Sequence, residues 1–143
     1  MAKILRPGGA LLLAALLWAM PAWAGEVREA NSGRPGETME VKSLAKRGRV
    51  TLVDFYSPYC APCVRLAPLL AQLAQRRPDL TVQKLNINRP QVRGIDWQSP
   101  LARQYDLRSV PHFMIFDAKG RLKAEGKTAA NQVFAWLKEA GLL

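Results

Sequence analysis

The sequence predicts an α/β fold in which a central mixed β-sheet is flanked by helices on both faces. A run of β-branched and aromatic residues at Val50–Tyr56 predicts a buried strand, and apolar residues at helical spacing follow from residue 60 to about residue 77. The predicted order of elements is strand, helix, strand, helix, strand, strand, helix. About half of the 143 residues are apolar and 22% are charged, a composition that supports a packed core.

The first 24 residues predict a signal peptide. Lys3 and Arg6 precede an uncharged apolar run over residues 11–20, and Pro21 ends that run. Ala22-Trp23-Ala24 places small residues where a signal peptidase cuts, so cleavage would leave Gly25 as the first residue. We therefore expect a periplasmic or otherwise extracytoplasmic protein. The alternative is a membrane-anchored protein whose N-terminal segment is never removed, although the run is short for a span of about 20 residues.

Residues 25–42 are expected to be an N-terminal arm or linker, because the first part of this segment is rich in Gly, Pro, Glu and Arg without apolar periodicity. The folded domain is expected over residues 43–143. A short strand or helical turn is expected near residues 39–46. The helix over residues 60–77 contains Pro68, which should kink it.

The second half of the domain continues with alternating elements. Leu80–Asn86 predicts a second strand, residues 88–100 a loop, and residues 101–105 a short helix. Residues 112–117 and 121–125 predict two antiparallel strands joined at Gly120. Thr128 is expected to cap the last helix, whose apolar side would carry Val133, Phe134 and Leu137.

The net charge is +10, and it becomes +8 without residues 1–24, which contribute two basic residues and no acid. Because the basic residues are spread along the chain, we interpret them as a solvated surface and expect no nucleic-acid partner. An acidic partner or an anionic membrane surface is compatible with this charge.

The two cysteines, Cys60 and Cys63, lie where a buried strand gives way to a helix. A bridge between residues three apart constrains the unfolded chain little, so a purely structural role is not favoured. At a helix N-terminus, unpaired N–H groups and the helix dipole favour a thiolate at Cys60. Cys60 would attack a substrate disulfide, and the deeper Cys63 would resolve the mixed disulfide. Pro62 suits the first helical turn.

Metal binding is the alternative use of these thiols. A zinc site needs about four ligands, and the chain offers no other cysteine and only one histidine, His112. Copper binding by the two thiols and a methionine is a further alternative. We expect no metal and no cofactor beyond the redox-active Cys60–Cys63 pair.

Several motifs follow one another along about residues 43–143. They are Val53-Asp54-Phe55-Tyr56, Tyr59-Cys60-Ala61-Pro62-Cys63, Ala67-Pro68, Lys84-Leu85-Asn86-Ile87-Asn88 and Ser109-Val110-Pro111 with Phe113 to Phe116 and Gly120. In this combination the sequence resembles the thioredoxin family, which implies the thioredoxin fold and thiol–disulfide oxidoreductase activity.

The resemblance implies roles for single residues. Asp54 matches the buried acid behind the cysteines, which exchanges a proton with Cys63, and Lys84 matches the lysine near that acid. Pro111, after Val110, matches the cis-proline that faces the cysteines and pairs with substrate backbone. With Cys60 and Cys63, Asp54 and Pro111 form the predicted catalytic set, supported by Lys84, Tyr59, Pro62 and Val110.

This sequence departs from the family pattern at several positions. Tyr59 replaces the usual tryptophan, Ala61 the usual glycine, and His112 a small or β-branched residue. The 88–100 loop is longer than in a minimal thioredoxin. Since this loop should emerge beside Cys60, we expect it to contact the partner through Arg89, Arg93 and Trp97. The alternative is a mobile insertion without a binding role, which a loop of this length tolerates. Arg93, Trp97 and His112 are the predicted substrate-binding residues.

The expected function is that of an extracytoplasmic dithiol reductase or electron carrier, with cytochrome c maturation as one use. Its partners would be protein disulfides or dithiols and a membrane electron-transfer protein, and the protein is expected to be a monomer. One alternative is a dithiol oxidant or isomerase for exported proteins. Another is a non-enzymatic binding module or copper chaperone with the same fold.

Overall fold

The computed structural model describes residues 24–143, so the predicted signal peptide lies outside the described residues apart from Ala24. The domain contains five strands and three α-helices. They are β1 (Glu26–Glu29), β2 (Val50–Tyr56), α1 (Ala61–Arg76), β3 (Leu80–Asn86), α2 (Pro100–Gln104), β4 (His112–Phe116), β5 (Leu122–Glu125) and α3 (Gly126–Glu139). A 3₁₀ turn at Val41–Leu44 precedes β2. The bounds of β2 and β3 are those predicted from the sequence.

The five strands form one mixed sheet in the order β1-β3-β2-β4-β5. β3 pairs in parallel with both β1 and β2, whereas β4 is antiparallel to β2 and to β5. The central strand β2 is apolar on both faces, as expected for a strand covered by helices on each side. The mixed sheet predicted from the sequence is therefore confirmed.

Alternation along β2 sends its side chains into two cores. Leu52 faces a core with α1 and α3, where Leu70 and Val133 are fully buried. Phe55 faces the opposite core, which α2 and the segment before β2 close. The prediction of helices on both faces is confirmed. Asp54 and Tyr56 share the face of Leu52, the side of the sheet that α1 covers.

The N-terminal segment differs from the arm or linker predicted for residues 25–42. β1 adds a strand to the sheet beside β3, and the side chain of Asn31 donates to the backbone of Asn86 at 2.8 Å. A Cβ on Gly25 would overlap the carbonyl oxygens of Ala74 and Arg77 at the end of α1. β1 is short and mostly charged, so its sequence carries no strand periodicity, and pairing with β3 defines it.

The last helix also begins differently from the prediction. α3 begins at Gly126 and its N-cap residue is Glu125, without a side-chain hydrogen bond, so the predicted cap at Thr128 is wrong. Val133 and Leu137 are buried as predicted. Phe134 is 45% exposed, because the helix turns it toward a groove beside α1 instead of into the core.

Both edges of the sheet are short and polar. β1 reads Glu-Val-Arg-Glu and β5 reads Leu-Lys-Ala-Glu, four residues each.

Within residues 24–143, no helix is both long and apolar enough to cross a membrane.

Candidate functional site

The two cysteines form a disulfide at the start of α1, directly beyond the end of β2. Cys60 is the N-cap residue of α1, and its Sγ accepts a hydrogen bond from the backbone N–H of Cys63 at 3.2 Å. Pro62 lies in the first turn, where its missing N–H leaves no helical bond unmade. A negative charge on Cys60 Sγ would therefore be stabilised by this N–H group and by the helix dipole.

Both cysteines are nearly buried in the disulfide form. Cys60 is 3% exposed and Cys63 is 4% exposed, so the expected greater depth of Cys63 is not found in their exposure. What separates them is position along the helix. Cys60 is the N-cap residue before the helix, and its Sγ accepts the backbone N–H of Cys63. Cys63 itself lies in the first turn of α1.

The loop before β4 approaches the disulfide from the other side. The peptide bond between Val110 and Pro111 is cis, as the resemblance implied. The carbonyl oxygen of Val110 lies 3.5 Å from Cys60 Sγ. In the reduced protein, a Cys60 thiol at this distance could donate its proton to that carbonyl.

Asp54 is buried behind this site at 3% exposure, and its Oδ1 has no hydrogen-bond partner. Burial raises the pKa of Asp54 to about 7 by penalising the charged carboxylate, while the charge of Lys84 lowers that pKa and the charge of Glu29 raises it. A carboxyl with this pKa exchanges a proton readily near neutral pH.

Lys84 is the cation nearest in register to Asp54, but another acid holds its ammonium group. Lys84 Nζ binds Glu29 Oε1 at 2.7 Å and lies 4.0 Å from the centre of the Tyr56 ring. The hydroxyl of Tyr56 donates to Glu29 Oε2 at 2.9 Å. Burial and the bond to Glu29 together raise the pKa of Tyr56, so it remains a neutral donor.

A second polar cluster joins the 88–100 loop to the turn before Cys60. The hydroxyl of Ser57 donates to Asn88 Oδ1 at 2.6 Å and accepts the backbone N–H of Tyr59 at 3.1 Å. Asn88 in turn donates from Nδ2 to the carbonyl of Gly94 at 2.5 Å. Tyr59 itself is 52% exposed beside the cysteine pair. The loop is thus bonded to the segment that carries the exposed aromatic residue.

The loop residues predicted to contact a partner have different surroundings. Arg89 Nε binds Asp96 Oδ2 at 2.7 Å, and this carboxylate is almost fully buried, so Arg89 has an internal role. Trp97 is half-buried against the core closed by α2 and borders a surface pocket with Arg103 and other loop and α2 residues. Arg93 is exposed.

His112 begins β4 immediately after Pro111 and is largely covered. Its ring packs edge-on against Phe55, with centroids 5.8 Å apart, and its Nε2 lies 3.5 Å from Glu125 Oε1. Within the described residues, Nε2 has no hydrogen-bond partner. His112 therefore lies between the cis-proline and the acid that precedes α3.

An apolar groove of about 430 Å³ borders the same site between α1 and α3. Pro62 and Pro111 form its end beside the cysteines, and Phe134 forms part of its outer wall. Arg65 supplies the charged residue in its lining. The groove would accept an apolar side chain from a chain segment that reaches Cys60.

No cluster of three or more His, Cys, Asp or Glu side chains that could hold a metal ion occurs in residues 24–143. The disulfide at the N-terminus of α1, beside the cis-proline loop, suits reversible thiol–disulfide exchange.

Sequence reasoning identified the cysteines, Asp54, Lys84 and Pro111, but it missed Glu29, Ser57 and the bonding role of Asn88. Ser57 and Asn88 each follow the end of a parallel strand, a placement that could have indicated their proximity. No local pattern marks Glu29, because its importance depends on which strand β1 pairs with.

The Thioredoxin family model matches residues 39–139. A relative, thioredoxin Y, chloroplastic, of Oryza sativa subsp. japonica, is 29% identical over 129 residues, covering 82% of this chain and 73% of the relative. A thioredoxin of Acidithiobacillus ferridurans is 34% identical over 97 residues, covering 66% of this chain and 82% of its own length.

The fold also matches a solved structure. Thioredoxin F from spinach chloroplast, in its short form, superposes with a TM-score of 0.56 at 24% identity, covering 85% of this chain and 99% of that chain. At this identity the match shows the shared fold.

Proposed function

This chain belongs to the thioredoxin family of thiol–disulfide oxidoreductases, and we propose that it works outside the cytoplasm as a dithiol reductase or electron carrier. The observation that carries this proposal is the 3.2 Å hydrogen bond from the Cys63 N–H to Cys60 Sγ at the N-cap of α1. It supplies the electrostatic stabilisation that a nucleophilic thiolate needs.

The proposed reaction transfers two electrons to the substrate. The Cys60 thiolate attacks one sulfur of a substrate disulfide, forming a mixed disulfide and releasing the other sulfur as a thiolate. Cys63, once deprotonated, attacks Cys60 Sγ and releases the second substrate thiolate. The substrate disulfide is reduced to two thiols, and Cys60 and Cys63 are oxidised to the bridge seen in the structure.

Asp54 is proposed as the group that takes the proton of Cys63 in the resolving step. Its raised pKa supports the role, since an acid that titrates near neutral pH can both accept and return a proton. Its Oδ1 is unpaired in the disulfide form, which leaves an acceptor position available.

The direction of electron flow is proposed to be reducing, because Ala61-Pro62 between the cysteines resembles the reducing members of the family. The alternative is a dithiol oxidant or isomerase for exported proteins. The test is the reduction potential of the Cys60–Cys63 pair in glutathione buffers. A value near roughly −270 mV, as for thioredoxin, supports the proposal, whereas a value near about −120 mV would replace it with the oxidant.

The extracytoplasmic location rests on the predicted signal peptide. The described fold is compatible with cleavage after Ala24, because Gly25 packs against the end of α1 and β1 begins at Glu26. Every described element therefore begins after the predicted cleavage site. N-terminal sequencing of the protein from fractionated cells should find Gly25 in the soluble extracytoplasmic fraction. Intact residues 1–24 in the membrane fraction would support the anchored alternative.

An electron donor is needed for a reductase outside the cytoplasm, and the chain has only the two cysteines for redox chemistry. We propose a membrane electron-transfer protein as this donor and a monomeric state for the protein. Clients would be protein disulfides, including those of cytochrome c maturation. A client side chain would lie in the apolar groove, which shares Pro62 and Pro111 with the redox site.

A further inference from the structure

Three side chains form a row across three neighbouring strands. Glu29 of β1 is the register partner of Lys84 on β3, and Lys84 is the register partner of Asp54 on β2. Partners at one level of a parallel sheet point to the same face, so Lys84 lies between two carboxylates. One acid is buried and unpaired at Oδ1, whereas the other is 43% exposed and bound to the ammonium group at 2.7 Å.

We propose that Glu29 is a positioning residue for the redox reaction, which holds the Lys84 ammonium group away from Asp54. This keeps the buried acid protonated to a higher pH than Lys84 alone would allow. The inference rests on the proposed proton transfer between Asp54 and Cys63.

Tyr56 fixes the arrangement from the side. Its hydroxyl binds the second oxygen of Glu29, and its ring lies against Lys84 Nζ, so both groups of the ion pair are held in place. A carboxylate bound at both oxygens has little freedom to release the lysine. Lys84 is itself only 13% exposed, so few alternative partners are within its reach.

Among residues 24–143, the charges that act on Asp54 are those of this row. β3 contributes Lys84, β1 contributes Glu29, and the strand of Asp54 contributes the neutral Tyr56. The partner of Asp54 on β4 is Phe113, which carries no charge. α1 contributes the cysteines, which are joined in the disulfide form and do not titrate. Loss of the negative charge at Glu29 must therefore act on Asp54 directly or through Lys84, and both effects favour the carboxylate.

The experiment is an NMR titration of the Asp54 side-chain carboxyl in the oxidised protein, in wild type and in Glu29→Gln. The midpoint should fall by roughly 0.5 to 1 pH unit in the variant, since two charges two strand spacings apart interact appreciably at a partly exposed site. Lys84→Gln should move the midpoint in the opposite direction. The pH dependence of the resolving step, followed in single turnovers, should move with the titration.

Glu26→Gln is the matched control. Glu26 lies on the same strand as Glu29 and also forms an ion pair, with Lys46. Its side chain points to the other face of the sheet, where its register partner on β3 is Thr81. It should leave the Asp54 midpoint unchanged. Equal midpoints in Glu29→Gln and wild type, with thermal stability retained, would overturn the inference. A wild-type midpoint typical of an exposed aspartate would instead overturn the proposed proton role of Asp54, while the effect of Glu29→Gln would still be measured.

Discussion

Replacing Asp54 with asparagine should stabilise the oxidised protein progressively as the pH rises. Asp54 has a pKa near 7 in the folded protein, against an ordinary value of 3.8. Between these two values the folded state holds a proton that the unfolded state has lost. The free energy of unfolding of the wild type therefore falls as pH rises through this interval, because burial of the charged form is unfavourable.

The size of the effect follows from the same two values. A pKa difference of about 3 corresponds to about 4 kcal/mol at 1.36 kcal/mol per pH unit. The asparagine variant has no charge to bury, so this pH dependence should be missing from it. The difference in unfolding free energy between variant and wild type should grow by roughly 2 to 4 kcal/mol between pH 4 and pH 8. The new amide can also change the unfolding free energy by an amount that is the same at every pH. Only the part of the difference that varies with pH tests the charge of Asp54.

The assay is guanidinium chloride unfolding of the oxidised proteins, followed by tryptophan fluorescence at pH values from 4 to 9. Asp117→Asn is the control. Hydrogen bonds from the Arg121 backbone and side chain lower the pKa of Asp117 to about 2, so its loss should add no pH dependence above pH 5. If the unfolding free energies of Asp54→Asn and wild type change in parallel from pH 4 to pH 9, the assignment of a neutral buried acid is refuted.

Three further outcomes test other parts of the structure. Cys63→Ser should trap a mixed disulfide with a protein client through Cys60, and trapping through Cys63 in the reciprocal variant would reverse their roles. Leu70→Ala should cost about 2 to 5 kcal/mol of unfolding free energy, because Leu70 is fully buried on the inner face of α1, whereas Val64→Ala at a 57% exposed site of the same helix should cost less than about 0.5 kcal/mol. Arg93→Glu in the 88–100 loop should slow turnover with the physiological partner and leave insulin reduction unchanged; equal partner turnover would remove the loop from the contact surface.

The central elements could be predicted because local pattern and tertiary role agree in them. Val50–Tyr56 and Leu80–Asn86 are rich in β-branched and apolar residues, and both are covered on two faces in the sheet. The helix after Cys60 carries apolar residues at helical spacing, and those residues form its buried side. Motifs shared with the family then placed Asp54 and Pro111 around the cysteines.

The missed features depend on contacts distant in sequence. β1 has one apolar residue in four, so only the backbone of β3 makes it a strand. Glu29 therefore could not be linked to Lys84, 55 residues away, before the register was known. The cap predicted at Thr128 failed because α3 follows β5 without an intervening turn, so that Glu125, the last residue of β5, is the N-cap.

The short, charged edges of the sheet bear on how this protein meets its clients. In the proposed role as a reductase of exported proteins, it would encounter chains that have not finished folding, and such chains offer free backbone groups that add readily to an open strand. β1 offers four residues with three charges, and β5 offers four with two. Neither gives a long, flat template for an incoming strand. An unfolded client is therefore discouraged from adding a strand at either edge of the sheet, which favours an encounter at the disulfide over strand addition.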